Sequence, residues 1–358
     1  MNRRSIIKGI GALGASTAVP AWAQGAPAIA KGSTLTVSTW GVFQDQIKTL
    51  VQPEFEKMTG ARLAYDLGNQ GARYNKILSQ RHNPPADVFI SADDIVVAGV
   101  RAGVLQPMPR RAVPRTAELH DWAIIGKGIV PDDTFAAIAF GMVAHVIGYN
   151  PEVVKTRPTS WADLWRPELS GKLAFCAAFH SEMPRYIIAA AEMTGGSAQN
   201  PDSGFRKLAE LRPAKLMFTW TDWAPLLKAG EVVAATEFDY YLEEMKRLKY
   251  PIEWAVPKEK GFASLQSISI VRNTKNQELA AAFLNAMVDP KTQYAFATEV
   301  KQGISNKTVK LSPQQAAACT CGARVDQLRF FDPVMIADVR PKWTERMNTE
   351  VIPVWGKR

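Results

Sequence analysis

Three cysteines and four histidines are all that 358 residues contain, so the side chains that build zinc sites and disulfide frameworks are scarce. Cys176, Cys319 and Cys321 allow one disulfide in an oxidising compartment with one thiol left over, and the sequence does not say which pair forms. Cys319-Thr320-Cys321 is too short for a CxxC motif, and His82, His120, His145 and His180 are scattered along the chain. His180-Ser181-Glu182 has the HxE half of a zinc deaminase without the Pro-Cys-x-x-Cys half. GxSxG and HExxH do not occur, which removes two common hydrolytic constellations. Catalysis, a metal and a cofactor are therefore not expected. No apolar run reaches the ~20 residues of a membrane-spanning helix. No run of five like charges and no RNA or DNA motif is present, so nucleic acid is not an expected partner.

The N-terminus, by contrast, is rich in signals. Arg3, Arg4 and Lys8 precede a weakly apolar stretch, and Ala21-Trp22-Ala23 is a small-x-small cleavage site before Gln24. Residues 1–23 are expected to be a removable export signal. Asn2-Arg3-Arg4-Ser5-Ile6-Ile7-Lys8 resembles the twin-arginine pattern, with Asn where that pattern has Ser or Thr; an ordinary Sec signal is the alternative. The expected location is the periplasm. Of 43 basic residues, three fall in the signal, leaving 40 against 34 acidic and a dispersed mature charge of +6. The remaining 335 of the 358 residues exceed the ~250 to 300 that one hydrophobic core usually serves, so two lobes are expected.

Strand and helix patterns alternate. Leu35 to Trp40 alternates as a strand does, a helix is predicted over 44–58 up to Gly60, a strand near 61–65 follows, and Asp87 to Ser91 is a short buried strand. Ser91-x-x-Asp94 reads as a capping box. The alternation predicts α/β lobes with mostly parallel sheets, in which ligands sit beyond the carboxyl ends of strands. Three segments place polar or aromatic residues there: Thr39-Trp40, Ser91-Ala92-Asp93, and Glu237-Phe238-Asp239-Tyr240-Tyr241. The last follows an apolar strand. It reads either as a binding wall or as the start of a helix capped by Thr236 or Asp239, with Tyr241, Met245 and Leu248 at helical spacing. Phe135 to Tyr149, with Gly141 and Gly148 inside it, reads as a chain crossing between lobes, and residues 255–270 as the return crossing.

Thr159-Ser160-Trp161-Ala162-Asp163-Leu164-Trp165-Arg166-Pro167, continuing to Gly171-Lys172-Leu173, resembles the T-S-W-x-D-L-W-x-P-x-x-x-G-K segment of bacterial extracellular solute-binding proteins, the spermidine/putrescine-binding group above all. Ile147-Gly148-Tyr149-Asn150 before it, and Ser267 to Ile270, Ala280 to Asn285 and Asp289-Pro290 after it, extend the likeness from about residue 34 to residue 310. The resemblance implies a two-lobed periplasmic-binding-protein fold of type II, each lobe a mainly parallel sheet flanked by helices, joined by hinge crossings. Lobe 1 is expected to hold residues 34–138 and 262–310, and lobe 2 residues 139–261 and 311–358 with the C-terminal helices. It further implies a monomer that closes on a small solute and hands it to an ABC-type permease.

Position by position, the resemblance makes Trp40 a ring that lies along an aliphatic ligand and Ser91 a pocket serine. Phe238 and Asp239 fall where the group has Trp and a small polar residue. Gln266 stands where the group has the acid that pairs with an ammonium, and Asp93, Glu182, Glu237 and Asp239 are the carboxylates able to restore that charge. With Tyr240 and Tyr241 these are the candidate ligand-binding residues. An organic amine is the favoured solute, since rings and carboxylates together hold an ammonium. A carboxylate or phosphonate anion at the helix N-termini, or ferric iron at the tyrosine pair, are the alternatives. An exported enzyme is a more distant one.

Overall fold

Strand and helix do alternate in the computed structural model, which describes residues 32–355; the export signal lies outside them. Thr34–Thr39 (β1) leads into helix Gly41–Leu50 (α1), and a second helix, Gln52–Thr59 (α2), follows at once. The single helix predicted here is broken because Pro53 has no N–H to give and its ring clashes with a continuing helix; it starts a new one instead. Gly60, at φ 69°, closes α2 in the left-handed region. Arg62–Leu67 (β2) lies parallel to β1, and Asn69 Oδ1 caps helix Gln70–Ser79 (α3) by accepting from the Ala72 amide at 2.8 Å. Val88–Ser91 (β3) pairs parallel with the other side of β1 and leads to helix Asp93–Arg101 (α4).

Two long strands, Ala137–Tyr149 (β4) and, later, Gly261–Val271, are buried along their whole length and run antiparallel to each other through both halves of the molecule. Between them come Leu173–Cys176 (β5), helix Met183–Glu192 (α5), Pro213–Met217 (β6), Ala234–Phe238 (β7) and helix Asp239–Arg247 (α6). With Gly261–Val271 as β8, the strand order is β6-β5-β7-β4-β8-β3-β1-β2. The two parallel groups, β1–β3 and β5–β7, are thus joined into one sheet by the crossing pair. Gly141 and Gly148 serve close approach: a Cβ on the first would lie 2.3 Å from Gln302 Nε2, and on the second 2.6 Å from Leu242 Cδ2.

Helix Gln277–Met287 (α7) packs on the first lobe, Phe283 meeting Phe55 edge-on at 5.2 Å. Helix Pro333–Arg346 (α8) and the turns after it bury Trp343, Met347, Val351 and Trp355 in a cluster with Phe175 and Phe205 of the second. The other cluster fills the first lobe and continues under one face of the second, through Met217, Trp223 and Leu242. The disulfide is Cys319–Cys321, and Cys176 is a free, buried thiol.

Candidate functional site

The carboxyl ends of β3 and β5 are tied across the lobes by one arginine. Arg185, on the first turn of α5 and 1 % exposed, donates from Nη2 to Asp93 Oδ1 at 3.3 Å and holds Glu182 Oε2 at 3.5 Å from Nε. Arg340 of α8 makes a second tie, pairing with Asp94 and donating to the Ser181 carbonyl at 2.9 Å. Neither oxygen of Glu182 receives a hydrogen bond of ordinary geometry, although the Ser264 hydroxyl stands beside it, and Asp94 Oδ1 is likewise without a partner. Burial pushes the Asp93 and Glu182 carboxyls up, and Arg185 opposes the shift in both. The expected Ser91 capping box does not form. Ser91 stays in the sheet opposite Ser267 and its hydroxyl donates to the Ala92 carbonyl at 3.2 Å, so the cap position passes to Ala92.

Trp40 is the half-buried residue before α1. Its ring meets Phe43 at 5.7 Å and is overlain by the Arg73 guanidinium, 4.7 Å from the ring centre. Arg73 is held by the Gly68 carbonyl at 2.9 Å and the Ile90 carbonyl at 3.0 Å, while its Nη2 is buried without a partner. Burial lowers this guanidinium to about 10 against the opposing pull of Asp66.

In the second lobe, α6 does begin inside the stretch Glu237 to Tyr241, with Phe238 at the cap position and no side-chain cap bond from it. Glu237 is buried and accepts from Trp223 Nε1 at 3.1 Å and from the Phe238 amide at 2.9 Å; burial pushes its carboxyl up to about 7. Asp239 is engaged through both oxygens: Oδ1 accepts from the Ala144 and Tyr240 amides at 3.0 and 2.9 Å, and Oδ2 from the Thr320 hydroxyl at 2.6 Å, with Arg324 3.8 Å away. Its bonds go to the crossing strand β4 and the C-terminal segment. The Tyr240 and Tyr241 rings lie 4.0 Å apart, and their hydroxyls, raised by burial, bond each other. Phe238 sits within 6.3 Å of both rings and 4.6 Å from the ring of His145. Phe179 and Phe218, just past β5 and β6, meet with ring centres 4.0 Å apart and planes tilted by 37°, and are 64 % and 45 % exposed. Gln266 lies in β8 opposite Gly141, at a bulge.

The structure therefore groups Asp93 with Glu182, and Glu237, Phe238, Tyr240 and Tyr241 with one another, while Trp40 belongs with Arg73. Sequence reasoning passed over Arg73, Arg185, Arg340 and His145. An arginine at Met-Pro-Arg-Tyr-Ile-Ile and a histidine in the apolar run 135–149 were the available signals, each a charge-bearing residue where burial is expected.

The sequence model of the family described as bacterial extracellular solute-binding protein matches residues 52–320. The chain belongs to this family. Curated relatives include the Spermidine/putrescine-binding periplasmic protein 1 of Haemophilus influenzae, 24 % identical over 290 residues covering 78 % of each chain. The Putrescine-binding periplasmic protein SpuD of Pseudomonas aeruginosa is 25 % identical over 282 residues, 73 % of this chain and 75 % of its own. Among solved structures, an ABC transporter from Clostridium perfringens superposes with a TM-score of 0.72 at 27 % identity, covering 88 % of this chain and 99 % of that one. The fold is that of the periplasmic binding proteins, and solute binding is the class of function. Among the described residues no helix is long and apolar enough to cross a membrane.

Proposed function

We propose that this protein is the solute-capturing component of an ABC importer, acting in the periplasm without turnover, and that its solute is an organic amine of the spermidine or putrescine kind. The observation that carries the reading is the charge balance between the lobes. Asp93, Asp94 and Glu182, three carboxylates, face two guanidiniums, Arg185 and Arg340, and Glu182 has two oxygens short of donors. An ammonium supplies both the missing charge and the missing N–H groups. The rings of Phe179, Phe218, Phe238, Tyr240 and Tyr241 offer apolar faces to a methylene chain, and the curated relatives named for polyamines support the same class. A solute that bonds better to both lobes together than to either alone drives hinge closure, and the closed form is what a permease would recognise. Export by the twin-arginine route is part of the proposal; Arg3→Lys with Arg4→Lys should block it, and unchanged export would return the signal to the Sec class.

Titration calorimetry of the mature protein with putrescine and with spermidine tests the solute. One-to-one binding that weakens by about 2 to 5 kcal/mol in Glu182→Gln is expected, the range for stranding one partner of a buried charged pair. Equal affinity in the two proteins would contradict it. The unpartnered Nη2 of Arg73 beside Trp40 favours a second reading, an anionic solute, for which a carboxylate or phosphonate would bind where the amines do not.

A further inference from the structure

Behind Phe238 lies a group of donors that the solute reading does not use. His145 of β4, Cys176 at the end of β5 and His180 in the loop before α5 are all buried, and one potential ligand atom from each lies within 4.8 Å of the other two. His145 Nε2 is 4.0 Å from Cys176 Sγ, while its Nδ1 lies 2.6 Å from the Tyr186 hydroxyl. That second bond fixes the ring and leaves Nε2 as the nitrogen facing the thiol. With the proton on Nδ1, donated to that hydroxyl, it becomes the outer-shell arrangement that metal-bound imidazoles use. His180 accepts the Glu182 amide on Nδ1 at 3.2 Å and bonds the Phe218 carbonyl.

We propose that His145, Cys176 and His180 form a three-donor site for one thiophilic d10 metal ion, Cu(I) or Zn(II). The donor set decides the class: one thiolate and two imidazoles suit soft and borderline ions, and no carboxylate belongs to the set that would favour magnesium or calcium. Separation brings the set close to bonding range. An ion about 2.3 Å from sulfur and about 2.0 Å from nitrogen spans the 4.0 Å between Nε2 and Sγ at an angle wider than trigonal, and the donors, all within 4.8 Å of one another, draw inward on binding to close a three-coordinate site. On binding, the Cys176 thiol proton and the His180 ring proton that bonds the Phe218 carbonyl both pass to solvent or solvent-borne base, the sulfur and that ring nitrogen bond the metal, and the Glu182 amide keeps the His180 ring in place. Because His180 stands two residues before Glu182, the ion would also fix the loop that carries that carboxylate.

The test uses the mature protein, kept anaerobic and free of thiol reductant so that Cys319 and Cys321 stay paired. It is titrated with Cu(I) and, separately, with Zn(II) against a chromogenic chelator. The expected result is one equivalent of at least one ion, a rise in the thermal midpoint on loading, and an X-ray absorption spectrum with one sulfur and two nitrogen neighbours. Which ion binds identifies the metal. Cys176→Ala should weaken binding about 100-fold or more and abolish the rise in midpoint, and His145→Gln should do the same. Absence of stoichiometric binding of either ion to folded wild-type protein, or unchanged binding in Cys176→Ala, would overturn the proposal. Because the readout is the metal alone, it is independent of whether the solute is an amine.

Discussion

Arg185 and Asp93 meet across the two lobes, Nη2 to Oδ1 at 3.3 Å, with both side chains almost wholly removed from water. Asp93 and Glu182 both have this guanidinium as their ion-pair partner. Arg185→Met should therefore destabilise the protein by about 3 to 5 kcal/mol, the cost of stranding buried charge. The loss should be largest where both carboxyls are ionised and should shrink as pH falls, because burial raises Asp93 and Glu182 and their protonation removes the stranded charge. Urea denaturation at several pH values measures both. A loss independent of pH would show that lost packing, and not charge, is what the arginine supplies.

Asp239 leads to a different expectation. Its two oxygens accept three hydrogen bonds, from Ala144, Tyr240 and Thr320, and tie α6 to β4 and to the C-terminal segment. Asp239→Asn keeps one acceptor and presents an amide to the Thr320 hydroxyl, which should lower stability by about 1 to 3 kcal/mol. Solute affinity should change little by comparison. An affinity loss larger than the stability loss would give this carboxylate to the ligand.

Glu237 makes stability depend on pH in a known direction. Burial raises its carboxyl from 4.5 to about 7, so the folded state holds the proton more tightly than the unfolded state does. Its contribution is full below pH 4.5 and is lost as pH climbs through 7. Between pH 5 and pH 8, Glu237→Gln should therefore gain roughly 2 to 3 kcal/mol relative to wild type. A difference that stays flat across that window would mean that Glu237 titrates normally.

Arg340 pairs with Asp94 and donates to the His180 and Ser181 carbonyls, so helix α8 of the second lobe straps α4 of the first. Asp94→Asn should loosen the strap and enlarge the solute-free radius of gyration in small-angle scattering, with saturating solute restoring the wild-type value. The exposed Arg101–Asp338 pair beside it should matter little when broken. Identical curves for wild type and Asp94→Asn without solute would contradict the strap.

Much of the fold was legible because it is written locally. Alternation in Leu35 to Trp40, Gly60 at a helix end and the Thr159 to Leu173 segment each report their own surroundings. The α1–α2 break was missed although Pro53 announced it. The Ser91 capping box failed because the β3–β8 ladder, a contact between distant segments, outweighed a local preference. Binding-site partners were the least legible: Asp93 and Arg185 are 92 residues apart, and Asp94 and Arg340 are 246 apart. Sequence named Asp93 and Glu182 as acids of the cleft, but which arginines answer them depends on how the two lobes meet. Of the two readings of Glu237 to Tyr241, a binding wall or a helix start, a helix does begin there, but its cap is Phe238 and neither Thr236 nor Asp239, and the direction of the Asp239 carboxylate depended on Thr320, which only the fold brings near.

Native mass spectrometry of mature protein purified without denaturant tests the central claim most directly, because a closed two-lobed receptor retains its solute. The account predicts a one-to-one adduct that fragments as an organic amine in wild type and is absent from Glu182→Gln. An adduct that is an anion, or a folded wild-type protein that carries no adduct and takes up neither putrescine nor spermidine added in excess, would contradict it.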